Sequence, residues 1–251
     1  MIFDPFGDFE TAGYLQNTLG LKNPGDVKQS EHFVFELGIE EALQFLAEQA
    51  SLDYAAILKV HEILFSGFYP WAGHDRHELV PDLAIFKGSA ENPRHTVFAH
   101  PKEIKRAVDY ALQLASDSKR FRKRPGEVMG ALALALAHPF LDGNGRTLLL
   151  FYMELSYRAG FSIDWSRTNK DDYLSALSAE IDDPSKGCLD RYLQPFVVDI
   201  SSRDEWPEMI GGIKGLDGLD KEDITYHSLN DPEIKNLYLM RKYYFSEDSE
   251  K

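Results

Sequence analysis

Cysteine is nearly absent. The 251 residues hold one, Cys188, which excludes an internal disulfide and any metal site built from several thiolates. It sits in Pro184-Ser185-Lys186-Gly187-Cys188 with no base or second thiol beside it, so it reads as an ordinary thiol. A chain without disulfides suits the cytoplasm. Cations are also scarce: Lys and Arg number 27 against 41 Asp and Glu, a net charge of −14. Such an acidic chain repels a phosphate backbone, which excludes general nucleic-acid binding but leaves room for a local basic pocket. Long apolar runs are missing. The longest, Ala131 to Ala137, is far short of the ~18 residues that span a bilayer. Met1-Ile2-Phe3-Asp4 lacks the basic start and apolar stretch of a signal peptide. No membrane partner is expected.

Strand signals are few, and helical periodicity is common. Apolar residues recur at helical spacing over 39–49, 53–65, 101–115, 171–181 and 188–199, with Pro101 in a first turn. Residues 131–137 alternate as ALALALA and mimic a strand. Ala and Leu are strong helix formers, however, and small alanines let a helix be buried all round, so 126–138 reads as a central helix. Between helices, Leu83 to Gly88 and His95 to Phe98 form a short hairpin around Ser89-Ala90-Glu91-Asn92-Pro93. Residues 203–224 turn Gly- and Asp-rich and read as a linker, followed by a last helix over 233–245. The fold class is mainly α, a helical bundle with a short β-hairpin.

The chemistry-bearing segment is His138-Pro139-Phe140-Leu141-Asp142-Gly143-Asn144-Gly145-Arg146, between two predicted helices. Gly143 and Gly145 let the backbone tighten and approach a ligand. The next helix begins there, and its first amides are unsatisfied donors at the positive end of the dipole, a setting for phosphates. Asp142 at the rim can hold Mg²⁺, which favours one or two carboxylates plus phosphate oxygens. Arg146 can neutralise phosphate charge, and Asn144 can donate an amide hydrogen bond. His138 is the group suited to take a proton near neutral pH. Taken singly, each residue has a plainer reading: a cap, a turn or a core aromatic.

Taken together, His138 to Arg146 resembles the signature of the Fic family, His-x-Phe-x-Asp/Glu-Gly-Asn-Gly-Arg, at all seven specified positions. Tyr69-Pro70-Trp71-Ala72-Gly73 is similar to the family's segment before its hairpin flap, and Phe98-Ala99-His100-Pro101 to the flap's exit. The resemblance covers about 30–200. It implies a Fic-type helical bundle with domains at 1–30 (an N-terminal extension), 31–200 (the Fic domain) and 201–251 (a C-terminal linker and helix). It implies a protein adenylyltransferase that moves AMP from ATP to a Ser, Thr or Tyr hydroxyl of a target protein. It assigns His138 as general base, Asp142 as Mg²⁺ ligand, and Gly143, Asn144, Gly145 and Arg146 as nucleotide-binding. It assigns Ile85, Phe86, Lys87 and Gly88 to a flap that pairs with the target as a strand would.

Two departures stand out. The family's second Arg, three residues after the first, is Leu149 here, which leaves the triphosphate tail without its usual cation. No convincing inhibitory Ser/Thr-x-x-x-Glu-Gly/Asn motif is found: Ser201 to Trp206 has the spacing but ends in Trp. A small inhibitory partner protein, or no inhibitor, follows. The alternatives are a Fic-fold enzyme transferring another phosphate-containing group, and a nucleotide-binding regulatory protein with little activity. Intact Gly143 and Gly145 favour AMP transfer; Leu149 favours the regulatory protein.

Overall fold

A 25-residue helix, α1 (Pro24–Glu48), opens the bundle. Asn23 caps it, its side chain accepting from the amides of Gly25 and Asp26, with Pro24 in the first turn. The computed structural model describes residues 3–87, 96–136, 139–213, 215–216 and 224–241. The sequence reading caught only 39–49 of α1. Phe33 and Leu37 are exposed on its first half while Val27 and Phe35 are buried, so apolar residues stand on both faces and blur the period.

The expected helix over 53–65 is α2 (Tyr54–Phe65), capped by Asp53. That over 101–115 is a 3₁₀ turn at Pro101–Glu103 running into α3 (Ile104–Ala115). The ALALALA segment is helical: α4 spans Pro125–Leu136. α5 (Asn144–Arg158) follows the signature loop and is buried along most of its length. α1 and α2 pack on each other and both pack on α5, while α4 lies against α3. The main core therefore surrounds the two helices that carry the signature loop.

The C-terminal part differs from expectation in two places. After α6 (Lys170–Asp182), α7 ends at Leu193 (Cys188–Leu193) instead of running to 199. Pro195 lies in a 3₁₀ turn there, and Val197–Val198 then pairs with Ser162–Ile163. The second place is 203–224. Part of it is a packed helix, α8 (Trp206–Gly211), with Trp206 and Ile210 buried one turn apart. Tyr157 meets the Trp206 ring edge-on, and the Arg203 guanidinium lies over the Tyr157 ring. Gly and Asp letters around it outweighed two large apolar residues.

The hairpin forms as expected, β1 (Leu83–Lys87) with β2 (Thr96–Val97). A third strand was not foreseen. β3 (Ile224–Ser228) pairs antiparallel with all of β1, from Leu83 opposite Ser228 to Lys87 opposite Ile224, and the order is β2-β1-β3. α9 (Pro232–Arg241) covers the sheet: Ile234 packs with Ala84, Phe86 and Val97, and the Tyr238 hydroxyl donates to the Phe98 carbonyl at 2.8 Å.

Candidate active site

The signature loop joins α4 to α5. His138 lies outside the described residues, as does Gly88 of the hairpin. From Pro139 onward the loop is fastened at several points. The Arg76 amide donates to the Pro139 carbonyl at 2.6 Å. Phe140 and Leu141 are buried anchors. The Asn144 side chain closes the turn: its Nδ2 donates to the Phe140 carbonyl at 2.9 Å, and its Oδ1 accepts from the Phe140 amide at 3.0 Å. Its amide group thus shapes the loop that was expected to receive the ligand.

His61 of α2 supports the loop from below. Its ring stacks on Phe140, and Nδ1 accepts from the Gly73 amide at 2.9 Å. Nε2 therefore carries the proton and donates to the Asp142 carbonyl at 3.0 Å. Burial pulls the imidazole pKa down to about 3, so the ring is neutral at physiological pH.

Gly143 precedes α5 with φ of +76°, a left-handed conformation that favours glycine. A Cβ there would also sit 2.5 Å from the Phe65 ring. Gly145 differs: among the described residues beyond its chain neighbours and its own helix, a Cβ on it would meet no atom within 4 Å. The first turn of α5 therefore has open space beside Gly145, and as a helix start it carries amides without helical partners.

The charged side chains form a chain of their own. Asp142 Oδ2 accepts from Lys28 Nζ at 2.6 Å, and Oδ1 accepts from the Gly143 amide at 2.8 Å. Lys28 Nζ also donates to Glu31 Oε2 at 2.7 Å. Glu31, fully buried, pairs through Oε1 with Arg146 Nη2. The Arg146 guanidinium lies over the rings of Phe35 and Phe65, at 5.3 and 4.9 Å from their centroids. Its Nη1 is buried and has no hydrogen-bond partner among the described residues. Two acids and two bases thus neutralise one another between α1 and the loop. Lys28 and Glu31 fell in or beside the segment read as an extension. They are one turn apart on α1, but nothing local signals that they meet residues 114 and 115 positions later.

A cation suits Asp142, since an ammonium already bonds its carboxylate. Among the described residues no group of three or more His, Cys, Asp or Glu side chains is placed to hold a metal. Mg²⁺ at Asp142 would thus depend on ligand oxygens, as it does in many phosphate sites. Leu149, one turn beyond Arg146, packs in the main core and contributes no charge. Of the hairpin residues, Ile85 and Phe86 are buried within the three-stranded sheet, and Lys87 pairs in register with both Thr96 and Ile224. The sheet lies close enough to the loop for Asp142, after burial, to raise the pKa of the Tyr226 hydroxyl.

Residues 51–155 match the model of the Fic/DOC family. Over 182 residues the chain is 32% identical to the protein adenylyltransferase VbhT of Bartonella schoenbuchensis, covering 69% of this chain and 35% of that protein. It is 28% identical over 170 residues to the probable protein adenylyltransferase y4lH of Sinorhizobium fredii, covering 65% and 81%. The chain thus spans about a third of one relative and most of the other. Among solved structures, the BepC protein of Bartonella tribocorum with bound AMPPNP superposes with a TM-score of 0.61 at 22% identity, covering 76% of this chain and 96% of that one. No helix among the described residues is long and apolar enough to cross a membrane.

Proposed function

We propose, of a chain that carries a Fic/DOC-family domain at residues 51–155, that it is a protein adenylyltransferase. It transfers AMP from ATP to a Ser, Thr or Tyr hydroxyl of a target protein, in the cytoplasm. The single observation that carries the reading is the loop itself. Its backbone is pinned at Pro139, Phe140 and Asp142, and it opens at Gly145 onto the first turn of a fifteen-residue helix. A rigid loop of this kind gives phosphate oxygens preorganised amide donors, which stabilise charge without rearranging during the reaction.

In this reading the target hydroxyl oxygen attacks the α-phosphorus. The bond from that phosphorus to the bridging oxygen breaks, and pyrophosphate leaves. The hydroxyl proton passes to His138, whose role rests on the signature resemblance. Gly143, Asn144 and Gly145 supply the amide cradle, and Arg146 supports it from behind. Asp142 would hold Mg²⁺, which when bound neutralises phosphate charge. The hairpin residues Ile85, Phe86, Lys87 and Gly88 belong to the target-docking flap, and either β2 offers the edge or β3 must yield it. A small partner protein is the expected inhibitor. The functional unit extends beyond 31–200, because Lys28 and the strand 224–228 touch the loop and the flap.

Incubation of the protein with cell lysate and α-³²P-ATP or γ-³²P-ATP tests the proposal. Protein labelling from the α label alone is the expected result. Labelling from the γ label alone would make it a kinase-like relative. No labelling from either would favour a nucleotide-binding regulatory protein, the reading that the internal partners of Asp142 and Arg146 recommend.

A further inference from the structure

We propose that Lys28 is a nucleotide-binding residue, the cation that meets the triphosphate in place of the charge missing at position 149. The inference rests on the reading of the loop as an ATP site.

Three observations converge on it. First, the cations of the signature are committed inward. Position 149 is a leucine in the core, and Arg146 is pinned between Glu31 and two phenylalanine rings, its side chain only 7% exposed. Second, Lys28 is bonded directly to the loop, although its side chain, 12% exposed, is nearly as buried as that of Arg146. It reaches the loop from the facing helix α1 and bonds the carboxylate of Asp142, the residue just before the glycine that starts the cradle. Third, Lys28 Nζ bonds two carboxylates at once, Asp142 Oδ2 at 2.6 Å and Glu31 Oε2 at 2.7 Å, so it can leave one and stay held by the other.

Charge balance gives the order of events. With Asp142, Lys28, Glu31 and Arg146 cancelling one another, the loop offers a triphosphate little net attraction. Asp142 would hold a divalent ion that accompanies the nucleotide, and Lys28, no longer bonded to that carboxylate, would stay tethered to Glu31. With one donor held by Glu31, the ammonium has two to offer phosphate oxygens. A lysine suits the task, being a compact point charge on a flexible stem.

Calorimetric titration of the purified full chain with ATP, with Mg²⁺ and again with EDTA, tests this. Lys28→Met should weaken ATP binding by about tenfold or more with Mg²⁺, the loss of one charged hydrogen bond, and far less in EDTA, where Lys28 stays on Asp142; Lys28→Arg should bind within a few-fold of the parent. Unchanged or tighter ATP binding with Mg²⁺ by folded Lys28→Met overturns the proposal. In particular, tighter Mg²⁺ binding with unchanged ATP affinity would make Lys28 only a plug on Asp142. If Lys28→Met and Lys28→Gln both fail to give the parent's circular dichroism, Lys28 is structural and the proposal falls. Failure of the adenylyltransferase reading is separate: the parent would then bind ATP without labelling any protein, whatever residue 28 is.

Discussion

The imidazole of His61 lies face to face on the ring of Phe140, with centroids 3.6 Å apart and planes within 9°. That stack, with the bond from Nε2 to the Asp142 carbonyl, joins α2 to the signature loop. It also makes the loop sensitive to acid. The folded pKa is about 3, below the roughly 6.5 of an exposed imidazole. The unfolded chain therefore binds the extra proton between those values, and stability rises with pH across that window. Lowering the pH from 7 to 5 should remove about 2 kcal/mol through this one group. Urea unfolding of the parent and of His61→Gln at both pH values checks it: the parent should lose more than the variant.

Gly143 and Gly145 should respond in opposite ways to the same methyl group. Gly143→Ala meets both a left-handed backbone and the Phe65 ring, and should lose at least about 2 kcal/mol of stability. Gly145→Ala meets no atom of the described residues beyond its chain neighbours and its own helix, and lies in the first turn of α5, so it should be neutral or gain up to about 1 kcal/mol. Its effect should fall on ATP binding, because the methyl occupies the open face of the cradle. Denaturation and ATP titration of both variants separate the two roles.

Leu149→Arg should not restore the family's second cation. Leu149 is buried in the main core, and an unpaired guanidinium there leaves water without a partner. The expected outcome is a loss of several kcal/mol or failure to fold, read by thermal or urea unfolding. Arg146→Ala should also destabilise. It leaves one oxygen of the fully buried Glu31 carboxylate without its guanidinium partner and only Lys28 to balance the charge, a change that should cost about 3 kcal/mol, the low end for breaking a buried pair.

His138→Ala should leave folding and ATP affinity near those of the parent and reduce α-label transfer by ~10²–10⁴-fold, the usual contribution of a general base. Near-parent transfer by the folded variant would remove His138 from that role.

β3 covers one edge of β1. The Ile85 carbonyl accepts from the Phe98 amide on the β2 side, so the polar groups of its neighbour Phe86 face β3, where Thr225 stands opposite. Thr225→Pro removes a ladder donor. Amide exchange at β1 should then speed up by about tenfold or more, while exchange in α5 stays unchanged. Equal protection of β1 in the variant would mean that β3 contributes nothing to holding it.

Where the physics is local, the residues alone specify the structure. Alanine and leucine propensity made 125–136 a helix despite its alternating letters. Asn23 and Asp53 capped their helices, and nine consecutive residues declared a glycine-lined loop at a helix start. The tertiary structure decided which partners the charges of that loop have. Lys28 reaches Asp142 across 114 residues, and Glu31 reaches Arg146 across 115. It also brought β3 to β1 and drew Trp206 and Leu149 into the core. Helix propensity, capping and turn chemistry act within a few residues, where a sequence pattern records them. Ion pairs and strand pairing between distant segments depend on how the helices pack, and packing is settled by the shape of the whole core.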